Sequence, residues 1–286
     1  MEIDNRLLNP SRRKPLFPFR REDAPGYRLW VIGALLALSM TALAWDYETQ
    51  TCDTTHGVQL RAGAEFTKKW NNGLRLGIAE ELRFDVYNSA SGAAFSKSYT
   101  TLSLAYAHPV FYYLKADAGY TLRILGNKGW SDPNEFIRHR VFFGVTGSYK
   151  TDLAKIYMRE RFVCDMRTDS VNANEKSPYA WTLRSRLGTE FIVPGKPVKP
   201  YLWVELENTL NAPEYQQKDG RQFISNVRTQ AGVKWRLTRM SSLDFFYRFH
   251  YSYGRDINIT KKKSYIELTE EKAFVHAIGI VYNLDW

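Results

Sequence analysis

A period-two alternation of apolar and charged residues constrains this chain more than any other feature of its sequence. The stretch YMRERFVCDMR, residues 157–167, shows it most sharply. Met158 and Phe162 lie at even positions, whereas Arg159 and Arg161 lie at odd ones. Because successive side chains of a β-strand point to opposite faces, this pattern predicts a strand with one apolar face and one charged face.

The same alternation recurs from about residue 57 to the C-terminus, and no segment after residue 45 reads as an amphipathic helix. The candidate strands are 57–70, 74–88, 98–110, 112–126, 136–150, 153–168, 179–194, 198–210, 223–238, 241–256 and 273–286. These segments are far longer than the usual strand of about 5–6 residues in globular proteins. Short links alternate with longer polar ones, which is typical of outer-membrane barrels.

The predicted fold is therefore all-β, a closed antiparallel transmembrane β-barrel with short periplasmic turns and longer extracellular loops. We predict about twelve strands, counting the segment WDYETQT (45–51) as a short first strand. Ten strands is the main alternative. If 45–51 is not a strand, the N-terminus threads or lies outside an eleven-stranded wall.

The N-terminus predicts export. Basic residues precede the apolar run WVIGALLALSMTALAW (30–45), which is short for a membrane-spanning helix and ends in a small-residue triplet. We predict a signal peptide at 1–44, cleaved after Ala44, and a barrel domain at 45–286 in the outer membrane; an uncleaved anchor is the alternative. After cleavage 33 basic and 26 acidic residues remain, and we read this excess as a basic surface or interior rather than a nucleic-acid site.

Within each predicted strand, most charged residues share one parity, and this set predicts the lining of the barrel interior. The main set is Arg138, Arg140, Arg159, Arg161, Arg184, Arg186, Glu190, Glu205, Glu207, Arg228 and Arg248, joined by Arg61, Arg75, Arg83, Lys115, Arg123, Lys234, Arg236, Glu65, Glu81, Asp85, Asp117, Asp165 and Asp244. An Arg or Lys facing lipid at the bilayer midplane would cost about 2–4 kcal/mol. Two interpretations stay open: an ion-paired network that plugs the barrel, or a narrow anion-preferring pore.

Glu80 and Glu160 depart from this parity, since both fall among the apolar positions. A β-bulge that re-aims the side chain, or a place near the membrane interface, would accommodate them.

Aromatic residues support the barrel at two levels. Ile280, Tyr282, Leu284 and the terminal Trp286 share one parity and resemble the C-terminal signal read by the barrel-assembly machinery. Tyr149, Trp181, Tyr201, Trp235 and other aromatic residues fall near strand ends, as in the girdles at the two lipid interfaces.

The sequence predicts no catalytic, cofactor or metal site. Its five histidines show no metal-ligand spacing, and His250 near Ser252 is a common coincidence. A lipid-active enzyme would need a serine and a carboxylate or amide beside His139 or His276 on neighbouring strands. Cys52 and Cys164 could pair in an exported chain, but the outward parity of Cys164 favours two free thiols.

Several motifs resemble a known family. The segments LGIAEELRF (76–84), IRHRVFFGVTGSYK (137–150), YMRERF (157–162), LRSRLGTEF (183–191) and FYRFHYSY (246–253) resemble the domain of unknown function 2490, from about residue 57 to the C-terminus. The resemblance implies a small outer-membrane barrel of a Gram-negative bacterium, notably of the Bacteroidetes. It implies no activity and no site residues.

We therefore predict a passive, non-enzymatic barrel, either a narrow pore or a plugged structural barrel of the envelope. The expected partners are outer-membrane lipid, the barrel-assembly machinery and a small anionic solute, with no cofactor and no nucleic acid. A lipid-active barrel enzyme of the acylhydrolase type is the alternative function, and a soluble secreted β-sandwich is a third. The sequence does not set the oligomeric state.

Overall fold

The computed structural model describes residues 51–88, 94–108, 113–126, 137–167, 179–212, 223–259 and 266–286, in which every regular element is a β-strand. The strands are β1 (Thr51–Lys69), β2 (Leu74–Asn88), β3 (Ala94–Ala107), β4 (Leu114–Leu125), β5 (Ile137–Lys150), β6 (Ala154–Arg167), β7 (Tyr179–Phe191), β8 (Val198–Thr209), β9 (Phe223–Arg236), β10 (Ser241–Ile259) and β11 (Ile266–Asp285). They follow one another around a closed barrel in chain order, with antiparallel pairing between consecutive strands. No helix in the described ranges is long and apolar enough to cross a membrane. The predicted leader, residues 1–44, lies outside these ranges.

The barrel closes through a parallel seam. β1 runs alongside β11 from Thr51 opposite Thr269 to Thr67 opposite Asp285. An odd number of up-and-down strands leaves the first and last strands pointing the same way, so the closing pair must be parallel. The prediction of a wholly antiparallel sheet is therefore wrong at this seam, and the count of about twelve is not confirmed, because the described residues form eleven strands. Of the predicted first strand, 45–51, only Thr51 is described, and it belongs to β1.

A disulfide engineered across the seam tests the parallel register. In a Cys52→Ser background, cysteines at Ala62 and Ile280, which are register partners, should oxidise readily, because paired strands bring Cα atoms within disulfide range. The cross-linked chain should run faster on a non-reducing denaturing gel. The control pair, Ala62→Cys with Leu284→Cys, separates the thiols by about 13 Å along the strand and should stay reduced. Equal cross-linking of both pairs would contradict the register.

Strand ends differ from the prediction at the last hairpin. β10 and β11 extend to Ile259 and from Ile266, whereas a long loop was predicted at 257–272. The two strands stay paired to their ends, with Ile259 opposite Ile266. The charged run around Lys261 suggested a loop, although Ile257 and Ile259 continue the alternation in the sequence.

Short links join the strands at one end of the barrel, as predicted, at 70–73, 151–153, 192–197 and 237–240. In the first, Gly73 adopts a φ of 89°, a left-handed conformation that favours glycine. The side-chain oxygen of Asn72 accepts a hydrogen bond of 3.1 Å from the backbone N–H of Leu74. We call this side of the barrel the short-turn end.

The two faces of the wall differ in chemistry. The outer face carries exposed apolar side chains, with Leu60 50 % exposed, Ile78 52 % and Ile278 60 %. The opposite parity carries most of the charged residues. Side chains on the convex face of a barrel diverge, so ion pairs between strands that are not neighbours can form only on the inner face. Such pairs join β6 to β8 and β4 to β6, which places these charges inside the barrel.

Glycines make room for aromatic rings on the inner face. The directly opposed pairs are Gly119 with Phe142, Gly188 with Tyr157, Gly232 with Tyr201, and Gly279 with Phe246. A Cβ atom at Gly188 would lie 2.5 Å from the ring of Tyr157, and one at Gly232 would lie 2.6 Å from Tyr201 Oη. Each ring therefore covers the backbone of its partner strand.

Three of these rings help to form a buried aromatic cluster. Tyr201, Trp203 and Phe246 form its centre, with Tyr157 and Val281 packed against it. All five lie near strand ends on the short-turn side. The cluster thus fills one side of the barrel interior at that end.

Candidate functional site

A network of arginines and carboxylates covers the inner wall. Among the described residues it consists of four separate groups of ion pairs. Together these groups join nine arginines to five carboxylates: Arg61, Arg83, Arg123, Arg140, Arg159, Arg161, Arg184, Arg186 and Arg228 with Glu81, Asp117, Asp165, Glu205 and Glu207. Arginine suits such contacts because its planar fork presents five donors to carboxylate oxygens.

Glu205 is the most heavily engaged carboxylate. Its side chain is 3 % exposed and lies 3.0 Å from Arg159 Nη2, 2.6 Å from Arg186 Nη2 and 2.8 Å from Arg228 Nη1. Glu207, two residues along β8, lies 2.7 Å from Arg184 Nε and 2.8 Å from Arg228 Nη2. Burying a carboxylate is costly unless charges and hydrogen bonds compensate it, and here several guanidinium groups do so.

Two aspartates hold the arginines of β4, β5 and β6. Arg140 donates from Nε and Nη2 to the two oxygens of Asp165, each at 2.7 Å, and Arg123 lies 3.2 Å from the same carboxylate. Arg161 donates from Nη2 to Asp117 at 2.5 Å. Arg140 and Asp165 lie on the neighbouring strands β5 and β6, whereas the other two pairs join β4 to β6 across β5. These pairs therefore brace the wall as well as neutralising charge.

Positive charge exceeds negative charge in this network. Nine guanidinium groups meet five carboxylates, and arginine stays protonated in proteins. The buried Nε atoms of Arg61, Arg123, Arg159 and Arg161 have no hydrogen-bond partner among the described residues. The Nε of Arg184 is close to Glu207 but is not aligned for a hydrogen bond. The inner wall therefore holds donors that its own carboxylates do not satisfy.

A cavity of about 220 Å³ lies among these donors. It is lined by Ala79, Glu81, Arg83, Tyr99, Thr101, Thr121, Arg140, Phe142, Arg161, Val163 and Arg184. Its walls run from β2 to β7, which lie on opposite sides of an eleven-strand ring, so the cavity is inside the barrel. Four guanidinium groups and one carboxylate face it.

Aromatic rings orient several guanidinium groups. Arg83 stacks 4.0 Å from the ring centre of Tyr99, and Arg161 lies 4.2 Å from that of Phe142. Arg186 lies 3.8 Å from the ring of Trp203 in the aromatic cluster. Sequence reasoning missed these partners, although Tyr99 and Phe142 share the parity of the charged residues.

Tyr201 corrects one part of the girdle prediction. It lies inside the barrel, where its hydroxyl donates to Asp244 Oδ1 at 2.8 Å and accepts from Gln230 Nε2 at 2.5 Å. Its parity with Trp203 and Glu205 could have revealed this, because proximity to a strand end does not determine the face.

Glu190, Arg248 and Arg138 complete the main set of the predicted lining. Glu190 accepts a bond of 2.8 Å from Lys234 Nζ. Arg248 donates from Nε to Gln230 at 2.6 Å and lies 5.4 Å from the ring of Trp203. Arg138 lies in β5 opposite Arg123.

The predicted assembly signal lies at the seam. Ile280, Tyr282 and Leu284 occupy alternate positions of β11 opposite β1. Trp286 follows the strand, and its N–H donates to Thr67 O at 3.0 Å. Recognition by the assembly machinery stays a prediction.

Glu80 and Glu160 stay on the apolar outer face. Both lie near the middle of regularly paired strands, so a bulge does not re-aim them. Instead, hydroxyl groups of the adjacent strand donate to them: Ser98 and Thr100 to Glu80, and Ser185 to Glu160 at 2.6 Å.

The histidines and cysteines do not assemble into a reactive group in the described part of the chain. His139 Nδ1 and His276 Nδ1 each lie 2.6 Å from a tyrosine hydroxyl, and His250 Nε2 lies 2.8 Å from Asn226 Oδ1. Cys52 and Cys164 are free thiols. No cluster of metal-ligating side chains was found among the described residues.

Comparison with known proteins extends the resemblance seen in the sequence motifs. Residues 58–260 match the family described as a protein of unknown function, DUF2490. This range includes every arginine and carboxylate of the inner network. No curated protein and no solved structure matches the chain.

Proposed function

The chain belongs to the DUF2490 family, and on that premise we propose that it is an integral outer-membrane barrel with a narrow interior path for small anions. The observation that carries this proposal is the interior cavity, which is lined by four guanidinium groups and one carboxylate. Rings of basic side chains favour anions in membrane pores.

The wall chemistry supports insertion in a membrane. Leu102, Phe143 and Ile278 are each about half exposed or more on the outer face, while the arginines face inward. Exposing such a large apolar face to water would be unfavourable, whereas the acyl chains of lipids would cover it. The predicted leader delivers the chain to the envelope, and the C-terminal alternation ending at Trp286 directs it to the assembly machinery.

Small side chains on the inner face support a path beside the aromatic cluster. Gly77, Ala79, Ser103, Ala105 and Gly144 form this part of the wall, on β2, β3 and β5. They lie toward the short-turn end, while the aromatic cluster belongs to β6, β8, β10 and β11. A solute path along the small side chains would lead to the arginine-lined cavity.

A plugged structural barrel is the second candidate. The aromatic cluster and the ion pairs of Glu205 and Glu207 fill much of one side of the interior. A barrel of about eight strands is just wide enough for side chains to fill, and porins of about 16 strands leave a channel, so eleven strands permit either outcome.

Planar-bilayer recording of the refolded protein separates the two candidates. We expect a small conductance whose reversal potential in a KCl gradient shows anion preference. Arg161→Gln should reduce the chloride-to-potassium permeability ratio on the order of twofold, because it removes one positive charge from the cavity. The control Arg239→Gln changes an exposed residue of the link 237–240, outside the predicted lining, and should leave the ratio unchanged. A silent bilayer would overturn the path and leave the plugged barrel.

We infer that lipid hydrolysis is not the function of this barrel. His139 and His276 on the outer face are bonded to Tyr120 and Tyr247, so neither of these bonds supplies a serine nucleophile. Purified protein incubated with phospholipid vesicles should release no fatty acid. Release that is lost in His139→Ala or His276→Ala would contradict this inference.

A further inference from the structure

We propose that the cavity among Arg83, Arg140, Arg161 and Arg184 is a binding site for a small multivalent oxyanion of the inorganic phosphate or sulfate class. The site deepens the proposed anion path and rests on it for access from the bulk solution. Its occupant would be held inside the barrel, against the part of the wall that β2 to β7 form.

The arginines around the cavity retain donors for such a ligand. Arg161 uses Nη2 for Asp117, while its buried Nε has no partner among the described residues. Arg140 uses Nε and Nη2 for Asp165, which leaves Nη1. Arg83 donates from Nε to Glu81 at 2.5 Å, which leaves both of its Nη groups.

The charge around the cavity favours a multivalent anion. Glu81 is its one acidic lining residue, and that carboxylate already contacts Arg83 and Arg61. Across the described ion pairs of the inner wall, arginines exceed carboxylates by four, and low local dielectric strengthens the attraction for a compensating anion. A divalent ligand gains more from this field than chloride does.

The shape and polarity of the cavity favour an oxyanion. Guanidinium forks bind phosphate or carboxylate oxygens through two parallel hydrogen bonds, whereas a halide offers a single acceptor centre and cannot form that pair. Tyr99 and Phe142 stack against two of the guanidinium groups and fix their planes. The hydroxyls of Thr101 and Thr121 lie 2.9 Å apart, and because their mutual bond uses one hydrogen, the other hydrogen can donate to a ligand.

Calorimetry on the refolded full chain in detergent tests the site without requiring conductance. Inorganic phosphate and sulfate should bind with one-site stoichiometry, and chloride should bind on the order of tenfold more weakly or not at all. Arg161→Gln should weaken phosphate binding on the order of tenfold, the scale of one lost charge-assisted hydrogen bond. The matched control Arg239→Gln, in the exposed link 237–240, should bind phosphate like the natural chain.

A second variant guards against misfolding. Glu81→Gln removes the one carboxylate that faces the cavity, so phosphate binding should become several-fold tighter, an outcome that a damaged barrel would not produce. Absent phosphate binding, or equal affinities for phosphate and chloride, would overturn the site. Phosphate binding with a silent bilayer would sustain the site and overturn the path, whereas conductance without phosphate binding would do the reverse.

Discussion

Replacing Glu205 by glutamine should lower the free energy of unfolding by about 3–5 kcal/mol, the range found when one partner of a buried ion pair is removed. The carboxylate is 3 % exposed and compensates Arg159, Arg186 and Arg228 at once. Glutamine keeps the shape and removes the charge, so three partly buried guanidinium groups would lose their shared counterion. Denaturant unfolding of the refolded barrel in lipid vesicles, followed by tryptophan fluorescence, measures the change.

Glu65→Gln is the matched control for this prediction. Glu65 has the same predicted inward parity, but it is exposed, and its described side-chain bond is a 3.4 Å contact from Thr67 Oγ1. We expect its free energy of unfolding to change by less than about 0.5 kcal/mol, as for most surface substitutions. Equal effects of the two variants would show that Glu205 does not hold the network together.

The alternation in the sequence was enough to predict a closed β-barrel, and the resemblance of a few motifs, such as YMRERF (157–162), indicated the family. The alternation placed Arg159 and Arg161 on one face because strand parity is local information. It could not pair Arg159 with Glu205 or Arg161 with Asp117, because these contacts skip a strand and depend on the register and tilt of the whole barrel.

The strand count was harder to predict for a similar reason. An even number of strands is usual in bacterial outer-membrane barrels and puts both chain ends on one side, which favours twelve strands over eleven. The parallel pairing of β1 with β11 closes the ring with eleven strands. Because these are the first and last strands of the described chain, no short stretch of sequence signals their pairing. The polar residues before Ile266 also hid the extension of the last hairpin.

The aromatic interior was missed because apolar side chains were assigned to the outer face. Trp203 and Phe246 share the parity of the charged residues in their own strands. Each is therefore an aromatic residue at a position where the alternation predicts a polar side chain. The glycines opposite the rings give the missing signal, since a strand glycine often marks a close approach by a neighbouring group. Gly232 and Gly279 on the inner face provide that space.

Replacing Gly279 by valine should therefore destabilise the barrel by about 3 kcal/mol, the upper part of the usual range for overpacking. A Cβ atom at this position would overlap the ring of Phe246. The ring cannot move away at low cost, because Phe246 is 5 % exposed and packs with Tyr201 and Trp203. Denaturant unfolding in vesicles measures the loss.

Two further variants decide whether the ring is the cause. Gly147→Val should change stability by less than about 0.5 kcal/mol, because a Cβ atom at Gly147 would meet open space and β-branched residues suit strands. Phe246→Leu combined with Gly279→Val should be more stable than the sum of the single effects, by about 1–2 kcal/mol of coupling between residues in contact. Strict additivity would mean that the covering ring does not set the requirement for glycine at this position. Coupling of the expected sign would make Gly279 and Phe246 one packing unit, in which a glycine on one strand provides the space that an aromatic ring of the neighbouring strand fills.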